Sequence, residues 1–161
     1  MAEEKELKLG NVLIRNGWLT SEQLEKALAL QKKNGKFLGA VLLEELMITD
    51  EQLARALSEQ FNIPFVSLKN SYIDWPLAMR FTPSLILDRK CFPVARTPYE
   101  MTFALTNVLD GWALNQIEEE SRGYRVKMVL ITQADMQELV NRYRQHVSIQ
   151  IRRKLDAQQG Q

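Results

Sequence analysis

The chain has 161 residues, 25% of them charged and 45% hydrophobic, with a formal net charge of +1, enough apolar material to build the core of one domain or of two small ones. No apolar run reaches the ~18 residues that crossing a membrane requires. The first residues, Met1 to Glu6, lack the apolar stretch of a secretory signal, and the lone Cys91 excludes an internal disulfide or a cysteine-cluster zinc site. A soluble globular chain of a reducing compartment is therefore expected, and its one histidine, His146, is too little for a histidine-based metal centre.

The charge is unevenly spread. Residues 1–64 hold eight Lys or Arg against ten Asp or Glu, and residues 65–161 hold thirteen against ten, balances of −2 and +3. The excess collects in Arg142, Arg144, Arg152, Arg153 and Lys154. A reader of duplex nucleic acid carries a much stronger basic stripe, so neither DNA nor RNA is expected as a partner. The asymmetry hints at two subdomains.

The first sixty residues contain a repeat. Residues 8–31, KLGNVLIRNGWLTSEQLEKALALQ, align with residues 37–60, FLGAVLLEELMITDEQLARALSEQ, and eleven of the twenty-four positions are identical at a fixed offset of 29. Leu9, Val12 and Leu13, then Leu38, Val41 and Leu42, have the spacing of one face of a short helix. Gly17 follows the first of these and suits a left-handed cap. Thr20 to Gln23 and Thr49 to Gln52 are capping boxes, and each opens a longer helix whose apolar stripe is Leu24, Ala27, Leu28 and Gln31, or Leu53, Ala56, Leu57 and Gln60. Neither helical hairpin hides its apolar face alone, so the two should pack on each other. Gly10 and Gly39 recur in the first turn of the short helices, where glycine costs ~1 kcal/mol relative to alanine. Their recurrence points to a close backbone approach, either by a packing helix or by a ligand. The paired glutamines are either solvated helix ends or amides placed to meet a ligand.

After Gln60 the pattern changes. Phe61 to Leu68 reads as an extended exit, with Pro64 disfavouring helix at Ile63. Trp75 to Leu87 reads as mostly helical, interrupted at Pro83. Residues 91–95 and 101–105 read as strands joined by a turn near Pro98, 109–121 as a helix, 125–131 as a third strand, and 133–146 as a last helix with Met136, Leu139, Val140 and Tyr143 inward. This order predicts an α+β fold: a duplicated helical-hairpin bundle over 1–68, then an α+β subdomain over 69–147 with a three-stranded sheet and helices on one side. Residues 148–161 are expected to form a polar tail that extends the helix or frays.

Catalytic signatures are missing. Gly35-Lys36-Phe37 lacks the remaining parts of a phosphate-binding loop, and no zinc-protease helix, nucleophile elbow or dinucleotide fingerprint is present. His146 reads as a solvated surface histidine, Cys91 as a small buried hydrophobe, Glu118-Glu119-Glu120 as a solvated helix face, and Trp18, Trp75 and Trp112 as core or interface. The hairpin helices are too acidic for a DNA-recognition helix. No enzymatic activity, metal or cofactor is expected.

The twin motif resembles that of the MshEN domain, the N-terminal domain of type II secretion and type IV pilus assembly ATPases. In that family each motif begins Arg-Leu-Gly, carries a glycine in its middle and ends in Gln. Here Lys8-Leu9-Gly10 runs to Gln31 and Phe37-Leu38-Gly39 to Gln60, while the second mid-motif glycine is Leu46. Asn62-Ile63-Pro64-Phe65-Val66 resembles the family's exit from the repeat, and residues 91–146 its companion subdomain, in which the usual Asp-Pro reads Asn107-Val108.

This resemblance implies a regulatory domain that binds the bacterial messenger cyclic di-GMP, one half-site per motif. By position, Lys8, Leu9, Gly10, Leu13, Gly17, Leu24, Leu28 and Gln31 would form one half-site, and Phe37, Leu38, Gly39, Leu42, Leu53, Leu57 and Gln60 the other. Lys8 would face a phosphate as a point charge, Phe37 would offer a stacking face, and the leucines would cover bases and riboses. The implied partners are a neighbouring catalytic domain, of an ATPase or of a membrane glycosyltransferase of the bacteriophage adsorption protein B type, or an inner-membrane assembly protein. The implied location is the cytoplasmic face of the inner membrane, reached through that parent or partner. The alternative is a docking module that binds such a partner without nucleotide.

Overall fold

A computed structural model describes residues 8–160; the initial segment read above against a secretory signal lies outside the described residues. The chain divides into two compact units, Met1–Phe65 and Val66–Gln161. The division falls ahead of Leu68 because Val66 N–H donates to Leu130 O at 2.9 Å and Leu68 N–H to Asp135 Oδ2 at 3.1 Å, which draws these residues into the second unit. No described helix is long and apolar enough to cross a membrane.

The first unit is the repeat made solid. Its helices are α1 (Leu9–Arg15), α2 (Ser21–Asn34), α3 (Leu38–Glu44) and α4 (Asp50–Phe61). Both capping boxes form. Gln23 N–H donates to Thr20 Oγ1 at 3.1 Å while Thr20 N–H donates to Gln23 Oε1 at 3.0 Å; the Thr49–Gln52 pair repeats this at 3.1 and 2.9 Å. The short helices also end alike, on the paired backbone bonds of a Schellman turn. Trp18 N–H reaches Leu13 O and Met47 N–H reaches Leu42 O, both at 2.9 Å, with Gly17 at φ 73° and Leu46 at φ 53° in the left-handed region.

The hairpins do pack on each other, and they do so crosswise. α1 lies chiefly against α4 and α3 against α2, so each short helix rests on the other motif's long helix. The shared core holds Val12, Leu13, Leu19, Ala27, Val41, Leu42, Ile48, Leu53 and Ala56.

The second unit comprises α5 (Trp75–Ala78), α6 (Pro83–Leu87), β1 (Cys91–Arg96), β2 (Glu100–Leu105), α7 (Gly111–Glu120), β3 (Arg125–Leu130) and α8 (Gln133–Gln159). The sheet order is β1-β2-β3, with β1 antiparallel to β2 across an irregularity at Pro93/Ala95, and β2 parallel to β3. A parallel pair needs a crossover, and α7 provides it.

The helices are not confined to one side of the sheet. Ala104 points into a core with Phe92, Val129, Met136, Leu139, Val140 and Tyr143. Its neighbour Phe103 points to the opposite face, is equally buried, and packs edge-on against Phe81 at 5.2 Å between ring centroids. A crossover helix cannot share the face already taken by α8 on so narrow a sheet. The polar segment from Ser148 continues α8 as far as Gln159.

Candidate ligand-binding site

The two motifs place their matched residues in equivalent settings. Lys8 and Phe37 are the residues before α1 and α3, with nearly identical backbones (φ −75°, ψ 140° and φ −64°, ψ 145°). Both side chains stand exposed, Phe37 at 62%. Gly10 and Gly39 are buried, and their close approach is to a leucine of the same motif. A Cβ on Gly10 would lie 2.7 Å from Leu24 Cδ1, and one on Gly39 3.0 Å from Leu53 Cδ1. The glycines thus seat the long helix, which is the packing alternative of the sequence reading.

The predicted leucines separate by burial. Leu13 and Leu42 have 0% exposure and Leu53 has 6%, so in this conformation they are core and cannot cover a base. Leu9, Leu24, Leu38 and Leu57 are half-buried and Leu28 is exposed, which leaves these five, Lys8, Phe37 and the left-handed Gly17 as the accessible members. Gln31 and Gln60 are half-buried, and among the described residues neither amide side chain makes a hydrogen bond. Each therefore keeps both donor and acceptor capacity for an incoming partner.

Electrostatics distinguish the motifs. Arg15 at the end of α1 donates to Glu59 Oε2 at 2.9 Å, and Asn16 Nδ2 reaches Glu59 Oε1 at 3.0 Å, tying the first motif to the second beside Gln60. Lys36 is held by Glu44 at 2.8 Å, and Arg55 by Glu51 at 2.7 Å with its guanidinium over the Phe65 ring. Among the described residues, Lys8, Lys26, Lys32 and Lys33 make no ion pair. Lys32 and Lys33 directly follow Gln31. Neither is among the residues the resemblance implies, although both adjoin a motif end in the sequence.

The second unit contributes little chemistry. Burial, then the nearby Asp110 charge, against a lesser opposing effect of Arg89, pushes the Cys91 thiol up to about 12, so it is the inert hydrophobe expected. Two expectations change here. His146 is half-buried and stacks on Trp75 at 4.7 Å and 7°, so it is not a solvated histidine. Trp112 is 76% exposed at the start of α7 and forms no part of a core. Of the acidic run, Glu118 and Glu119 are solvated, but Glu120 accepts from Thr82 N–H at 2.9 Å, Thr82 Oγ1 at 2.5 Å and Gln116 Nε2 at 2.9 Å. Among the described residues no group of three His, Cys, Asp or Glu side chains is arranged to hold a metal ion.

Comparison with known proteins agrees with this architecture. The fold is similar to that of MshE in a structure titled "Structure of MshE with cdg" (TM-score 0.73, 23% identity, covering 84% of this chain and 98% of that one). It is also similar to the N-terminal domain of XpsE (TM-score 0.66, 14% identity, covering 85% and 94%). In sequence the chain is 26% identical over 137 residues to the type IV pilus assembly ATPase PilB of Myxococcus xanthus, a match covering 84% of this chain and 24% of that protein. A shorter stretch of 38 residues, 24% of this chain and 4% of its relative, is 47% identical to PilB of Thermus thermophilus. The chain thus spans at most about a quarter of the length of these curated relatives. The family profile of the MshEN domain matches residues 61–149, which take in the exit from the repeat and most of the sheet-bearing unit but not the twin motif. That match takes in more than half of the residues, and the chain belongs to the MshEN domain family.

Proposed function

We propose that this chain is a cyclic di-GMP-binding regulatory domain, without catalysis of its own, that acts on an attached or partner ATPase of the pilus or secretion type. The observation that carries the reading is the structural duplication. Two motifs repeat not only their leucines but their caps, their left-handed turns and an amide without a side-chain hydrogen bond at each end, Gln31 and Gln60. A pseudo-twofold ligand is the natural occupant of such a pair. The fold shared with MshE, whose structure contains cdg, supports this choice of ligand, and the PilB relatives favour an ATPase over a glycosyltransferase as the neighbour.

In this reading Lys8 meets a phosphate, Phe37 stacks on a guanine, Gly17 leaves room beside the first half-site, and Leu9, Leu24, Leu28, Leu38 and Leu57 give apolar cover. The crosswise packing makes every contact with one motif bear on both. Bound nucleotide would favour one arrangement of the hairpins and so bias docking on the neighbour, at the cytoplasmic face of the inner membrane.

Calorimetric titration with cyclic di-GMP, with GMP as control, tests this. Heat is expected for the dinucleotide. Gln31→Ala should weaken binding by roughly 5- to 10-fold, the worth of one hydrogen bond. Phe37→Arg should tighten it by adding a phosphate fork. Absence of heat and of thermal stabilisation at saturating nucleotide would sink the reading and leave the docking module. That second reading is favoured by the exposed apolar pair Phe37 (62%) and Leu46 (89%) on the second motif, suited to an inner-membrane assembly protein.

A further inference from the structure

The C-terminal half of α8 presents a surface that nucleotide binding leaves unused. Between Arg142 and Asp156 it carries five basic residues against the single acid Asp156, while the whole chain nets +1. Arg144, Arg152, Arg153 and Lys154 make no ion pair among the described residues, and every residue from Ile151 to Gly160 is exposed. Aliphatic side chains share these turns, with Ile149, Ile151 and Leu155 at 49%, 53% and 51% exposure. Beside them an open cleft of about 350 Å³ lies between α5 and α8. Its apolar walls are Trp75, Pro76 and Met79, and Lys154 stands at its edge.

We propose that this end of α8 docks directly on an anionic lipid surface. Helical stretches that gather exposed aliphatic residues on one side, bordered by unpaired cations, bind at the bilayer interface, the apolar groups entering the headgroup region and the cations meeting lipid phosphates. Successive residues turn by ~100°, so Arg144, Ile151 and Leu155 fall on one side of α8, flanked by Arg152 and Lys154, while Ile149 and Arg153 lie toward the other side. A bilayer interface meets that side with apolar and phosphate groups together, whereas a row of carboxylates on a protein partner would leave Ile151 and Leu155 without apolar contact. A second copy is opposed by like charge along the whole stretch. Ile149, Ile151 and Leu155 gain nothing from a nucleic-acid backbone. The proposal rests on α8 and its cleft and is independent of the nucleotide reading.

Vesicle flotation of the full chain tests it, with phosphatidylcholine vesicles and with vesicles of phosphatidylcholine and phosphatidylglycerol in equal parts. The protein should float only with the anionic vesicles and be released by salt, because the Debye length shrinks from ~10 Å at 0.1 M to ~3 Å at 1 M. Each basic residue near such a surface is worth roughly fivefold in partition, so Arg144→Gln/Arg152→Gln should weaken binding roughly 25-fold. Ile151→Ser/Leu155→Ser should also lower it while leaving the salt dependence intact. All four side chains are exposed, so unchanged thermal unfolding by circular dichroism certifies the fold of both variants. Equal flotation with both vesicle types, or full binding by the glutamine variant, overturns the proposal. Flotation with neither also overturns it and leaves an acidic protein surface as the occupant.

Discussion

At position 46 the second motif pays for a side chain that the first motif avoids. Gly17 and Leu46 hold the same turn in the left-handed region, at φ 73° and φ 53°, and Leu46 is 89% exposed. A non-glycine residue there costs about 1–2 kcal/mol, and this leucine recovers little by burial. Leu46→Gly should relieve that strain, less the ~0.5–1 kcal/mol that glycine adds to unfolded-chain entropy. The net gain should be about 0.5–1 kcal/mol, read as a higher urea midpoint. Gly17→Ala should do the reverse by about 1 kcal/mol, since a Cβ at Gly17 meets nothing within 4 Å and only φ opposes it. Equal responses at the two positions would show that the motifs are not equivalent there. The turn at Gly17 was legible because glycine announces it, and the one at Leu46 only through the offset alignment. Which leucines face solvent was not legible, because Leu13 and Leu24 share the same periodic pattern, and only the crosswise packing of the hairpins buries the former completely.

Between elements, a small polar clamp joins α6 to α7. Thr82, the residue before α6, offers N–H and hydroxyl to Glu120 near the end of α7, and Gln116 donates to both Thr82 Oγ1 and Glu120 Oε1. Burial raises the Glu120 carboxyl, but the bonds from Thr82 and Gln116 outweigh it and hold the group below its ordinary value of 4.5. A depressed folded-state value means the clamp stabilises fully above the unfolded value and loses its contribution as pH falls through the folded one. Wild type should therefore exceed Glu120→Gln in thermal midpoint at neutral pH, and the gap should close below about pH 4. A gap independent of pH would show that the carboxylate charge contributes nothing. The capping boxes were legible because partners three residues apart sit in one line of sequence. This clamp was not, because Glu120 and Thr82 are 38 residues apart and an acidic run looks the same solvated or bonded. The two-sided sheet was hidden for a similar reason: alternation says that β2 is buried, not that Phe81 waits on its second face.

Each unit closes a core of its own, around Leu13 and Leu42 in one and Phe92, Ala104 and Tyr143 in the other. The three tryptophans are divided between them, Trp18 in the first and Trp75 and Trp112 in the second. This division allows the proposed nucleotide site to be located without a bound structure. In Trp75→Phe/Trp112→Phe, which keeps an aromatic ring against His146, fluorescence follows Trp18 and thus the first unit; Trp18→Phe leaves the second unit as the reporter. A ligand bound only to folded protein stabilises it by ~2.7 kcal/mol at a hundred times its Kd, or roughly 10–20 °C for a domain of this size. Cyclic di-GMP should move the Trp18 transition by that amount. The family profile falls on the second unit, so the competing outcome is concrete: a shift confined to the Trp75 and Trp112 signal would place the ligand on the sheet-bearing unit and remove it from the twin motif. Shifts of equal size in both signals would mean that the units unfold as one. The Gln31→Ala variant then decides, because its loss of stabilisation can arise only where Gln31 touches the ligand.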